Sequence, residues 1–110
     1  MPNLKIYADA GLQADCGPAL RAALPALAAR LMDVLEVPRP ACQLALIWVD
    51  APDDQPALNV ELSIMPGPKR SRALLEQLGA QIQADLAPLC QSRPAIRISR
   101  RDAATFVALR

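Results

Sequence analysis

The chain begins "MPNLKIYADAG" (residues 1–11). Leu4, Ile6 and Ala8 alternate with Asn3, Lys5 and Tyr7, the period-two pattern of a half-buried strand. Pro2 stands directly before it. Inside a chain a proline nitrogen is an amide and has no basicity. At a free N-terminus it is a secondary amine with a usable lone pair, and Met1 is of the kind removed efficiently before a small residue.

Working outward from this strand, "DAGLQADCGP" (9–18) is turn-like, and Pro18 suits a first helical position. Leu20, Leu24, Leu27, Leu31 and Leu35 then recur at steps of three and four, an apolar stripe on a helix. Pro25 lies inside that stripe and predicts a kink or a later start. "EVPRPA" (36–41) breaks the pattern. "CQLALIWV" (42–49) is apolar on both faces from Leu44 onward and reads as a strand buried on both sides. After the polar turn "DAPDDQP" (50–56), "ALNVELSIM" (57–65) alternates again, with Leu58, Val60, Leu62 and Ile64 on one face. "PGPKRS" (66–71) is a loop. Leu74, Leu78, Ile82 and Leu86, with Leu75 alongside, mark a second helix that ends at "CQSRP" (90–94). "AIRIS" (95–99) is a short strand, and "RRDAATFVALR" (100–110) is a tail with no periodic pattern.

Strand–helix–strand therefore occurs twice. "NLKI" (3–6) and "NVEL" (59–62) match in type at an offset of 56 residues, a weak internal repeat. The expected fold is α+β: a duplicated β-α-β unit giving a four-stranded mixed sheet with both helices on one face, one domain over residues 1–110. The other face then carries Lys5, Tyr7, Glu61, Arg97 and Ser99 together with one apolar side of residues 42–49. A partly apolar open face predicts self-association.

Composition limits the chemistry. The chain has 110 residues, 53% hydrophobic and 21% charged, as expected of a globular chain. A net charge of +1 and one each of Trp, Tyr and Phe give no electrostatic or stacking case for nucleic acid or an anionic membrane. There is no long uncharged apolar run, and the start reads as a strand rather than a secretory segment, so the expected location is cytoplasmic. The absence of histidine excludes Ser-His and Cys-His pairs and imidazole acid–base chemistry. Cys16, Cys42 and Cys90 are odd in number and far apart, and read as small buried hydrophobes rather than a disulfide or metal set. Asp53 and Asp54 lack a third ligand, and "GPKRSR" (67–72) lacks the spacing of a phosphate-binding loop. No metal or cofactor is expected.

The β-α-β-β-α-β order, the leading Met-Pro, "IWVDAPDDQ" (47–55), "LSIMPGPKRS" (62–71) and "IRISRRDAA" (96–104) together resemble the tautomerase superfamily, through its 5-carboxymethyl-2-hydroxymuconate isomerase and macrophage migration inhibitory factor branches. The resemblance spans essentially the whole chain and rests on short motifs. It implies a mature N-terminal Pro2 acting as general base, with keto–enol or 1,3-allylic proton transfer in a small 2-keto acid or dienol carboxylate. It also implies a homotrimer with sites at subunit boundaries. Arg39 lies near the family's cationic position and would bind carboxylate or enolate; alignment on "WVD" (48–50) puts Gln43 there instead. Ile64 falls where a backbone N–H meets substrate, and Arg97 and Ser99 where side chains reach a neighbour's proline; the alternative for Arg97 is a pair with Glu61. A non-catalytic trimeric scaffold and a ferredoxin-like small-ligand-binding module are the alternative readings.

Overall fold

The computed structural model describes residues 1–109. The elements run β1 (Asn3–Asp9), α1 (Gln13–Leu35), β2 (Gln43–Val49), β3 (Leu58–Ile64), α2 (Arg72–Cys90) and β4 (Ala95–Arg100). Short 3-10 turns at Ala10–Leu12 and Arg39–Ala41 lead into α1 and β2. The sheet order is β2-β1-β3-β4. β1 pairs parallel with β2 and antiparallel with β3, and β3 pairs parallel with β4. This is the expected duplicated β-α-β sheet.

The register reveals an internal symmetry. β1 and β3 pair Asn3 with Ser63, Lys5 with Glu61 and Tyr7 with Asn59. Moving 56 residues carries Asn3 to Asn59 and Tyr7 to Ser63, so one pair maps onto the other and Lys5–Glu61 maps onto itself. A local twofold axis passes through that central pair. The helices end alike as well. Glu36 and Gln91 both take the left-handed conformation, at φ 55° and 48°, where a Cβ is strained. Val37 N–H then donates to Met32 O, and Ser92 N–H to Ala87 O, each at 3.2 Å.

The alternation read from sequence decides the core. Leu4, Ile6, Leu58, Val60, Leu62 and Ile64 point to the helix side and are fully buried there. α1 contributes Leu20, Leu27, Leu31 and Leu35, and α2 contributes Leu75, Leu78, Ile82 and Leu86. Burying each such side chain stabilises the fold by about 1.5–3 kcal/mol before entropy is counted. Ser71 caps α2 by accepting from Leu74 N–H at 3.2 Å. Arg30 and Asp85 form a two-armed ion pair between the helices, its second arm 2.8 Å.

Four expectations need correcting. α1 begins at Gln13, so Pro18 lies inside it rather than at its first position, and Pro25 neither ends it nor delays it. The 3-10 turn at Ala10–Leu12 starts the helical path early, before either proline matters. In α2 the buried stripe runs through Leu75, while Leu74 is only half-buried. β2 is not buried on both faces: Leu44–Val49 are all half-buried, because β2 is an edge strand. Its inner face meets α1 where Gly17 leaves room; a Cβ there would lie 3.3 Å from Trp48 Cζ2.

The fourth correction concerns the cysteines. Cys16, in the first turn of α1, is disulfide-bonded to Cys90, the last residue of α2, with their Cα atoms 5.6 Å apart. The helices run antiparallel, so the start of one lies beside the end of the other. A sequence separation of 74 residues conceals this. Cys42 alone is free, and buried.

Candidate active site at the start of β1

Four backbone ends converge where β1 and β2 begin and β3 and β4 finish. Pro2 lies in this group and is buried. Its carbonyl oxygen accepts from Gln43 N–H at 2.9 Å, which fixes it to the start of β2. Continuing the β1–β3 register one step beyond Asn3–Ser63 sets Pro2 opposite Ile64, also buried.

The 3-10 turn before β2 forms a second wall. Arg39 Nη1 donates to Cys42 O at 2.9 Å, while Cys42 N–H donates back to Arg39 O at 3.0 Å. Burial pushes the Cys42 thiol above its ordinary pKa, and the Arg39 guanidinium and the N-terminal ammonium pull the other way. The ammonium, Arg39 and Cys42 are thus electrostatic neighbours.

The third wall comes from the chain's end. Arg101 N–H donates to Ile64 O at 2.7 Å, and Arg101 Nη1 donates to Met1 O at 3.3 Å. Its guanidinium lies over the Phe106 ring, 4.4 Å from the centroid. Arg70 braces the loop after β3, donating to Met65 O (2.9 Å) and Leu35 O (3.3 Å), and Arg100 donates to Arg70 O (3.3 Å). Arg39, Arg70, Arg100 and Arg101 make this end basic. Of the nearby carboxylates, Glu36 is paired with Lys69 and Asp102 accepts from Ala104 N–H. The arrangement can attract a carboxylate and stabilise an enolate beside residue 2.

Solved structures that share this architecture include a fused 4-OT asymmetric trimer, with TM-score 0.73 and 15% identity over 96% of this chain and 91% of that one. A macrophage migration inhibitory factor-like protein from Entamoeba histolytica superposes with TM-score 0.71 at 11% identity, over 97% and 94% of the two chains. A member of the cis-3-chloroacrylic acid dehalogenase family does so with TM-score 0.69 at 17% identity, over 96% and 79%. This is the tautomerase fold. No family model and no curated protein matches the sequence.

Of the residues expected at a tautomerase-fold site, Pro2, Arg39 and Ile64 lie at this one end of the sheet. Gln43 is there too: its side chain accepts weakly from Asn3 Nδ2 at 3.5 Å, and its backbone holds Pro2. Arg39 is exposed. Arg97 and Ser99 face the other way, Ser99 one residue from the end of β4 and Arg97 further from it. β4 pairs them with Glu61 and Ser63, on the open face, whereas Pro2 shares the helix-side parity of Leu4 and Ile6. Arg97 donates to Asn59 Oδ1 at 3.4 Å, and among the described residues no ion pair joins it to Glu61.

Sequence reasoning missed Arg101. Its signal is the doubled arginine that ends β4 beside the end of β3, read only as the start of a tail. Two surface cavities lie away from Pro2: a groove of about 820 Å³ between α2 and β4, lined in part by Leu75, Gly79 and Ile98, and one of about 450 Å³ on the open face beside Tyr7 and Arg97.

Proposed function

We propose that this protein is a tautomerase or isomerase in which Pro2, exposed by removal of Met1, is the general base for keto–enol or 1,3-allylic proton transfer in a small 2-keto acid or dienol carboxylate. The observation that carries the reading is the position of Pro2: buried at the start of a central strand, opposite Ile64, at the basic end of a tautomerase fold. A rigid strand fixes the direction of the lone pair. Partial burial and nearby guanidinium groups both disfavour an ammonium, which brings a secondary amine toward neutral pH, where a general base works best.

In the reaction Pro2 N takes the proton from the carbon next to the carbonyl. The C–H electron pair becomes the new C=C bond, and the carbonyl oxygen carries the charge. The ammonium then returns the proton to that oxygen or to a more distant carbon of the conjugated enolate; from a dienol the same nitrogen takes the hydroxyl proton and returns it to carbon. Arg39 binds the carboxylate or the enolate, and the Ile64 backbone orients the substrate. Arg97 and Ser99 reach the Pro2 site of a neighbouring subunit in a homotrimer, which accounts for their place on the open face. The fused 4-OT neighbour forms a trimer.

Intact mass of the purified protein and tautomerisation of phenylpyruvate and 2-hydroxymuconate test this reading. The mature mass lacks Met1, and Pro2→Ala loses at least 100-fold in rate, in the range expected for removal of a general base. Retained Met1, or equal rates for the two proteins, leaves a non-catalytic trimeric scaffold. Elution from gel filtration at monomer mass removes the shared site.

A further inference from the structure

We propose that Arg101 is a catalytic residue of the Pro2 site, placed to hold the substrate oxygen on which negative charge develops. This rests on the reading of Pro2 as the base. The geometry comes from the residue that must leave. Met1 O belongs to the Met1–Pro2 peptide, so it lies about 2.3 Å from Pro2 N, as the standard C=O and C–N bond lengths require. Arg101 Nη1 donates to that oxygen at 3.3 Å. Once Met1 is gone, the guanidinium faces the space beside the bare amine. A carbonyl whose α-carbon approaches the amine brings an oxygen into this space. Met1 O marks where a donor already waits.

Arg101 is also held in place. Its N–H is fixed to Ile64 O (2.7 Å), its guanidinium rests on Phe106, and Phe106 N–H donates to Asp102 O (2.9 Å). The turn is closed by Ala104 N–H on Asp102 Oδ1 (2.9 Å). A cation held by packing and turn geometry loses little freedom on meeting an oxyanion. Arg39, by contrast, is exposed and its Nη1 is occupied by the Cys42 carbonyl. The C-terminal turn thus belongs to the site, with Arg101 on the oxygen that gains charge and Arg39 left to the substrate carboxylate.

The experiment uses the Met1-processed full chain with Pro2 labelled by 15N. Pro2 nitrogen is titrated by NMR, and phenylpyruvate tautomerisation is followed across pH, for wild type, Arg101→Ala, Arg101→Gln and Phe106→Ala. Arg101→Ala is expected to raise the pKa of the Pro2 amine by about one unit, as loss of a near cation does. The acidic limb of the rate profile moves up with it, and kcat falls at least tenfold. Arg101→Gln, which keeps donors without charge, gives the same amine shift and guards against a folding artefact. Phe106→Ala gives a smaller loss in kcat. Unchanged amine titration and rate in both folded Arg101 variants, with Pro2→Ala inactive, overturns the role of Arg101 and leaves Pro2 intact. An amine that shifts in a protein with no activity toward either substrate keeps Arg101 beside Pro2 and removes the catalytic reading instead.

Discussion

Cys16 and Cys90 are bonded across the antiparallel ends of the two helices, 74 residues apart in sequence. Closing a loop of that length restricts the unfolded chain and stabilises the fold by about 2–4 kcal/mol. Unreduced protein in denaturant should titrate one thiol, Cys42, and three after reduction. Reduction should lower the melting temperature by roughly 10 °C, since each 1 kcal/mol moves a domain of this size by about 4 °C. Three reactive thiols before reduction would contradict the bridge.

Cys42 predicts a pH effect of known sign. Its folded-state pKa is raised, so the folded protein keeps the proton after the unfolded chain has lost it. The native state then binds more protons than the unfolded one, and stability falls as pH rises above about 8.5, the ordinary thiol value. Native Cys42 should react slowly with iodoacetamide at pH 8 and quickly in denaturant. Arg39→Ala removes a cation that opposes the shift and should slow the native reaction further. A native rate equal to the denatured rate would refute the burial argument.

Gly17 faces Trp48 at a distance that admits no larger residue without movement. Gly17→Val should cost about 1–3 kcal/mol through overpacking and alter the emission of Trp48, the single tryptophan. Gly17→Ala should cost less, because Ala favours a helix over Gly by about 1 kcal/mol. The ordering, Val worse than Ala, is the test in chemical denaturation. A Val variant as stable as wild type with unaltered emission would rule out the close contact.

Alternation and helical spacing carried most of the fold. Leu4, Ile6, Leu58, Val60, Leu62 and Ile64 declared their face by period two alone, and Leu78, Ile82 and Leu86 theirs by steps of four. What was illegible depended on meetings between distant segments. Nothing local to Cys16 or Cys90 reports that α1 and α2 run antiparallel. Leu44–Val49 looked fully buried because an edge strand and a central one can share the same apolar letters. At the site, Pro2 was singled out by its position, and Arg39 and Ile64 by the family resemblance; the three lie at one end of the sheet. Arg101 was not singled out, because its partner is the carbonyl of Met1, a hundred residues away.

The twofold relation between the halves has a consequence for the assembly. Its image of Pro2 is Leu58, whose nitrogen is joined to Ala57 and can never be a free amine. On the proposed reading of Pro2 as a free amine, one half supplies that amine and the other supplies only its shape. A ring of three such chains would have two chemically unlike mouths, with three amines around one and none around the other, and a reagent specific for the N-terminal amine would label it at one equivalent per chain, all on the same rim.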